Sequence, residues 1–231
     1  MAGTFSTASL SGSEKRTLDM NRCDIFISQL DGLVVFLAAA HKEVFQTIKQ
    51  YELTWFPESQ DPRLPATFES YQVAVCHGAF LLGYGYFEAF LADLAKEIYL
   101  RRPGMLPKDR QVTSKDVLGA GSRDDIIRLM IEKEIRNVFS GPIEGVQNYF
   151  EQKLQISWPM QTEILVASRM RNCLMHNGSL VDERLAEVCN RVAGSPIRLE
   201  AGEVHGFGIK AREFSRMIWD EAVQRHLRVA G

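Results

Sequence analysis

An arginine and a histidine five positions apart, Arg171 and His176, are the residues of this chain whose types and spacing best suit chemistry. Histidine titrates near neutral pH, so it can accept or give a proton during a reaction. Arginine stays charged, and its planar guanidinium pairs with phosphate oxygens as negative charge builds up on them. Asn172, next to the arginine, can orient the histidine or a phosphate oxygen. These residue types suit cleavage of a phosphodiester bond.

RNA supplies its own nucleophile, because the 2′-hydroxyl lies beside the phosphate. No nucleophile from the protein and no metal ion is then required. We therefore expect Arg171 to hold the scissile phosphate and His176 to act as general base or acid. The expected products carry a 2′,3′-cyclic phosphate and a 5′-hydroxyl.

The segment that carries these residues predicts one helix, from Gln161 to about Asn177. Apolar residues recur in it at helical spacing, and Gly178 stands where a left-handed C-terminal cap belongs. His176 is then in the last turn.

Helix geometry separates the arginine from the histidine. Positions five apart point about 140° away from each other on a straight helix, whereas Asn172 and His176, four apart, share a face. Arg171 and His176 can serve one substrate if the helix end loosens, or if the site lies in a groove between two copies of the helix. In the alternative interpretation, Arg171 is a surface residue and His176 is a cap that the helix dipole favours.

Composition restricts the class of protein. The chain has 231 residues, 45% of them apolar, which is enough for a core, and a formal net charge of −2. That charge is not typical of a general nucleic-acid binder, so an RNA-cleaving chain must rely on a local basic patch or on a narrow substrate class. Four scattered cysteines without a metal-ligand spacing indicate reduced thiols. We predict a cytoplasmic protein without a leader peptide, membrane span, metal or cofactor.

Most of the remaining sequence predicts helices. They cover residues 24–51, 68–101, 122–139, 143–154 and 182–190, with loops at the prolines between them. The glycines at 78, 83 and 85, in the second of these helices, indicate close packing of that helix rather than flexibility. Residues 197–211 show two short alternating runs, which predict a hairpin, and residues 211–227 predict a closing amphipathic helix.

The fold class that follows is all-α, with one small C-terminal β-hairpin and a closing helix. Residues 1–20 predict a flexible tail, since they are small and polar, and residues 21–231 predict a single domain.

The run Arg-Asn-x-x-x-His at Arg171–His176 resembles the signature of the HEPN superfamily of small all-helical domains. The segment around Glu88, an acidic residue among aromatic residues, resembles the second helix of these domains, and a Trp-Pro pair before the motif helix is similar to some of its families. The resemblance implies a helical bundle that works as a homodimer and cleaves RNA without a metal. It also implies a role in toxin–antitoxin or antiviral systems.

The resulting hypothesis names Arg171, His176 and Asn172 as catalytic residues. Asn177, Arg169 and Glu88 are weaker candidates for contact with RNA, and Glu88 can orient either Arg171 or His176 from its own helix. The alternative is a non-catalytic HEPN domain that binds a nucleotide or a partner protein, such as a nucleotidyltransferase or an antitoxin, with the same residues.

Overall fold

The computed structural model describes residues 22–51, 64–107 and 112–228, and the structural statements below concern these residues. The predicted flexible tail over residues 1–20 lies outside them.

The described residues form helices joined by short connections. The helices are α1 (Arg22–Tyr51), α2 (Leu64–Arg101), α3 (Ser114–Gly119), α4 (Arg123–Phe139), α5 (Ile143–Gln152), α6 (Gln161–His176), α7 (Glu183–Val188) and α8 (Ala201–Ala222). A 3₁₀ turn, Pro103–Met105, follows α2, and a π turn, Val223–Leu227, follows α8. β pairing within this part of the chain is limited to an isolated bridge between Leu180 and Pro196. The prediction of an all-α protein is confirmed.

Helix α2 is the centre of the bundle, because α1, α4, α6 and α8 all pack against it. Aromatic pairs fill these contacts, including Phe26 with Phe90 at a ring-centroid distance of 5.2 Å and Phe87 with Phe214 at 5.2 Å. Phe87, Leu91 and the residues that follow at helical spacing are fully buried. One continuous hydrophobic core therefore holds the motif helix through α2.

The glycines of α2 differ in what surrounds them. A Cβ atom on Gly83 would lie 3.1 Å from the Leu33 side chain of α1, so this glycine allows close packing as predicted. Gly78 and Gly85 face open space, and nothing within the described chain packs on them. For these two glycines the described residues do not show the predicted close helix packing.

The predicted hairpin over residues 197–211 is also wrong, because residues from Ala201 onward form the first half of α8. A capping box starts this helix: the Glu200 side chain accepts a hydrogen bond from the Glu203 backbone, and the Glu200 amide donates to the Glu203 carboxylate at 3.0 Å. Val204 and Ala211, at helical spacing, are buried. As a helix, this segment buries its apolar side against α2. A two-stranded hairpin without further strands beside it is only marginally stable.

The closing helix therefore starts earlier than predicted and ends in the π turn. Arg101 donates to the carbonyl of Leu227 at 3.0 Å, and Arg102 donates to that of His226 at 3.2 Å. His226 in turn donates through Nε2 to the carbonyl of Leu154 at 2.6 Å. The two arginine bonds fasten the turn after α8 to the end of α2, and the histidine bond fastens it to the segment that follows α5.

One helix of the described residues, Val73–Arg101 within α2, is long and apolar enough to cross a membrane by length and composition alone. A helix at the centre of a bundle meets the same criterion, so the observation is weak. It does not contradict the prediction of a chain without a membrane span.

Candidate functional site

The motif helix α6 has the bounds and the buried face that the sequence predicts. Ile164, Ala167, Met170 and Cys173 are buried at helical spacing. Burial raises the pKa of the Cys173 thiol, so this cysteine is a core residue. Just before the helix, Trp158 packs edge-on against Phe214 at a centroid distance of 4.9 Å, so it is a packing residue.

Arg171 is half-buried and is held by two neighbours. Its Nη2 lies 3.6 Å from Oε2 of Glu88 on α2, and its Nη1 donates to Oδ1 of Asn172 at 3.0 Å. Of the two partners that the sequence leaves open for Glu88, the structure therefore brings Arg171 to it. The side-chain oxygen of Asn172 is thus engaged by the arginine.

A small cleft lies beside this group, between α2, α5 and α6. Its polar lining consists of Glu88, Ser168, Arg171 and Asn172, and its apolar lining includes Leu91. The cleft measures about 40 Å³, which is room for a few water molecules. A pocket that encloses a nucleotide is roughly ten times larger. A large ligand must therefore lie across the mouth of this cleft.

Electrostatics in the cleft reflect burial more than charge pairing. Burial raises the pKa of Glu88, and the nearby Arg171 guanidinium opposes this rise. Burial also raises the pKa of Tyr84, against a hydrogen bond with Ser168 that lowers it. Tyr84 thus stays neutral and links α2 to α6 one turn before the Glu88–Arg171 pair.

His176 is in a different setting, although it belongs to the same helix. It is the last residue of α6, it is exposed, and it does not line the cleft beside Arg171. Among the described residues none donates to or accepts from its imidazole. A single copy of the chain therefore brings together Arg171, Asn172 and Glu88, but not His176.

The turn that carries His176 is nevertheless well fixed. The amides of Asn177 and Ser179 both donate to the carbonyl of Cys173 at 3.1 Å, and Gly178 has a φ of 58°, as the predicted left-handed cap requires. The Asn177 side chain donates to the carbonyl of Leu180 at 2.9 Å. In this structure Asn177 stabilises the turn.

The chain beyond this turn is pinned as well. Ile197 donates its amide to the carbonyl of Ser179 at 2.7 Å, and Val181 donates to that of Ser195 at 2.9 Å. These bonds join the residues that follow α6 to the residues that precede α8. The chain that leaves the His176 turn is therefore held in place.

Arg169 does not line the cleft. Its guanidinium forms an ion pair with Glu144 of α5, so its charge is already neutralised in part. Tyr84, Ser168 and Glu144 are the residues near the site that sequence reasoning missed. Ser168 stands one turn before Arg171 and Asn172, and Tyr84 one turn before Glu88, so helical spacing from the motif was the available signal.

Among the described residues no group of three or more His, Cys, Asp or Glu side chains is placed to hold a metal ion. The four cysteines are free thiols. No protein-family model, curated protein or solved structure matches the chain.

Proposed function

We propose that this protein is a metal-independent endoribonuclease in which Arg171 binds the scissile phosphate and His176 transfers a proton. The observation that carries the proposal is the contrast along α6: a guanidinium fixed by Glu88 and Asn172, then an exposed imidazole on a rigid helix end. A fixed cation suits phosphate binding, and an accessible imidazole suits proton transfer with a substrate.

In the proposed step the 2′-oxygen of the RNA attacks phosphorus as the His176 imidazole takes the hydroxyl proton. The bond from phosphorus to the 5′-oxygen breaks, and that oxygen leaves with a proton from water. The products are a 2′,3′-cyclic phosphate and a 5′-hydroxyl. Arg171 stabilises the charge that gathers on the phosphate oxygens during the step.

The separation of the two residues motivates a second copy. Arg171 and His176 diverge on a helix that is regular through His176, so a groove between two α6 ends is the simplest way to bring an arginine and a histidine to one phosphate. We therefore propose a homodimer with a composite site.

The test is cleavage of total RNA and transfer RNA in EDTA by the wild type and by His176→Ala, with the product ends identified. His205→Ala is a matched control, since His205 is another exposed histidine on a helix. We expect the wild type and the control to leave cyclic phosphate, and His176→Ala to lose activity by about 10²- to 10⁴-fold. A 3′-hydroxyl product, or equal activity in all three proteins, contradicts the proposal.

A second candidate is a non-catalytic domain that binds a nucleotide or a partner protein, including an antitoxin or a nucleotidyltransferase. It is favoured by the position of His176 outside the cleft that Arg171 lines. This candidate predicts binding of a nucleotide or protein that Arg171→Ala weakens and His176→Ala does not, without RNA turnover. Isothermal titration calorimetry with nucleotides would measure this difference.

A role as a toxin or in antiviral defence follows from the family resemblance. If this role is correct, expression of the wild type arrests bacterial growth, and expression of His176→Ala does not. Equal toxicity of the two proteins at equal expression level excludes it.

A further inference from the structure

Helix α2 has an apolar face that nothing in the described chain covers. Four turns of this face carry no charged residue, and most of its positions are exposed. The face, called the α2 face below, consists of Ala74, Gly78, Leu81, Leu82, Gly85 and Ala89.

Nothing in the described part of the chain explains the two glycines of this face. Neither has a positive φ, and a Cβ on either Gly78 or Gly85 would meet open space. Glycine weakens a helix relative to alanine, so a helix glycine that serves neither backbone conformation nor internal packing points to close approach by something outside the chain. Gly83 differs from these two glycines, because a Cβ at Gly83 would lie 3.1 Å from the Leu33 side chain of α1.

The order of residues on the α2 face is symmetric about its centre, between Leu81 and Leu82. From the centre outward, leucine matches leucine, Gly78 matches Gly85, and Ala74 matches Ala89. A two-fold axis through this centre would place each residue of one antiparallel helix opposite its equivalent in size on the other. A two-fold contact between identical chains uses the same patch twice, and here the order of residues lets equal-sized residues meet.

We propose that two copies of this chain pair through their α2 faces, antiparallel and centred between Leu81 and Leu82. In this register Gly78 of each copy faces Gly85 of the other and the leucines flank these contacts, so the missing glycine side chains let the helix axes approach to about 8 Å.

Charge favours the antiparallel direction. Asp93 and Lys96 follow the α2 face on the same helix. Parallel pairing would set Asp93 beside the partner's Asp93 and Lys96 beside the partner's Lys96, which like charges oppose. Antiparallel pairing moves both pairs of like charges to opposite ends of the contact.

The area of contact predicts a weak dimer. The α2 face is about 22 Å long and about 10 Å wide, well below the roughly 800 Å² that each partner buries in a typical stable interface. Phe36 of α1, which is 59% exposed, enlarges the apolar contact surface. It lies on the same side of α1 as Arg22, and Arg22 forms an ion pair with Asp93 (3.0 Å) at the border of the α2 face. We therefore expect an association that is weak and depends on protein concentration.

This pairing goes beyond the proposed function and does not depend on it. Glu88 lies about 10 Å along α2 from the centre, so the two Arg171 clefts fall on the same side of the pair, about 20 Å apart along the helices. The His176 turn lies outside the contact. Pairing of α6 ends into a composite site is thus a separate contact, and a chain that makes both contacts assembles beyond a dimer.

Cysteine crosslinking of the full chain tests the geometry. Under mild oxidation Leu82→Cys should crosslink to itself across the two-fold axis, whereas Ala89→Cys alone should not, because its two copies lie about 22 Å apart. The double variant Ala74→Cys/Ala89→Cys should crosslink. Wild type with its native thiols and Val192→Cys, at a position 75% exposed on another part of the chain, give the background. Self-crosslinking of Ala89→Cys at the level of Leu82→Cys, or none by Leu82→Cys, overturns the proposal.

Sedimentation velocity over a concentration series tests the assembly itself. Gly85→Leu should halve the mass of the assembly, while Gly202→Leu, at an exposed α8 glycine that also faces open space, should leave it unchanged. Both variants should melt no lower than the wild type, since leucine favours a helix more than glycine does and a Cβ at either position meets no atom of the described residues within 4 Å. Unchanged mass in Gly85→Leu, or a wild type that is monomeric at every concentration, overturns the pairing whether or not the protein cleaves RNA.

Discussion

Two turns of one helix, those of Arg171 and His176, are fixed in opposite ways. The Arg171 side chain is held by Glu88 and Asn172, beside a cleft too small for a nucleotide. At His176 the backbone is held, through Gly178 and the bonds to Cys173, and the side chain is left to solvent. The chain thus positions a charge in one place and presents a titrating group in another, so a reaction that needs both must bring them together through the substrate or a second copy.

The largest expected effect is on the rate of RNA cleavage when two inactive variants, one changed in each turn, are mixed. If each site takes Arg171 from one copy and His176 from the other, Arg171→Ala mixed with His176→Ala forms one intact site per mixed dimer. Random pairing then restores roughly a quarter of the wild-type cleavage rate, from variants each about 10²-fold or more below it. The rate of RNA cleavage against mixing ratio measures this, and a mixture no faster than its components places both residues of a site in one copy.

A change in the buried face of the shared helix should affect both turns together. Ile164→Ala removes a buried side chain that is 1% exposed from the core face of α6, and it should lower the free energy of unfolding by about 3 kcal/mol. Urea denaturation followed by circular dichroism measures this loss. A cost below 1 kcal/mol would mean that α6 is less tightly packed than the structure indicates.

A change at Gly178, the left-handed cap of α6, should destabilise the His176 turn and leave the Arg171 turn unchanged. Gly178→Ala forces a residue with a side chain into a φ of 58° and should cost about 1 kcal/mol of stability. Amide hydrogen exchange should rise near residues 176–180 and stay unchanged near the Arg171 cleft. Equal rises in both places would show that the two turns unfold as one unit.

The smallest expected effect concerns Glu88 and pH. Because its pKa in the folded protein is raised, the stability that protonated Glu88 contributes is present below the unfolded pKa and is lost as pH rises through the folded pKa. Glu88→Gln keeps the neutral form, so its stability relative to wild type should increase slightly from pH 4 to pH 7. Denaturation midpoints at the two pH values measure this. A relative loss at pH 7 would show that attraction to Arg171 outweighs burial.

Local signals predicted the ends of several helices. Ser122 accepts from the Asp125 amide at 3.2 Å, Asp182 accepts from the Leu185 amide at 2.7 Å, and Gly178 is left-handed, all at predicted boundaries. Such caps depend on a few neighbouring residues, so the sequence contains the necessary information.

Features that depend on packing were harder to predict. The capping pair Glu200 and Glu203 marked the start of α8, but the alternation and glycines after it were interpreted as a hairpin. The Arg171 cleft needs α5 beside α6, a placement that helix periodicity within one segment does not contain. The two open glycines of α2 could be interpreted only once their surroundings were known.

The last long helix has a consequence for how the chain is made. Phe207 and Phe214 of α8 pack against Phe80 and Phe87 of α2, so the core that supports α6 needs residues synthesised after the motif itself. A chain still emerging from a ribosome presents Arg171 and His176 before that core can close. For a protein proposed to cut RNA, this order would delay assembly of the site until α8 has been synthesised.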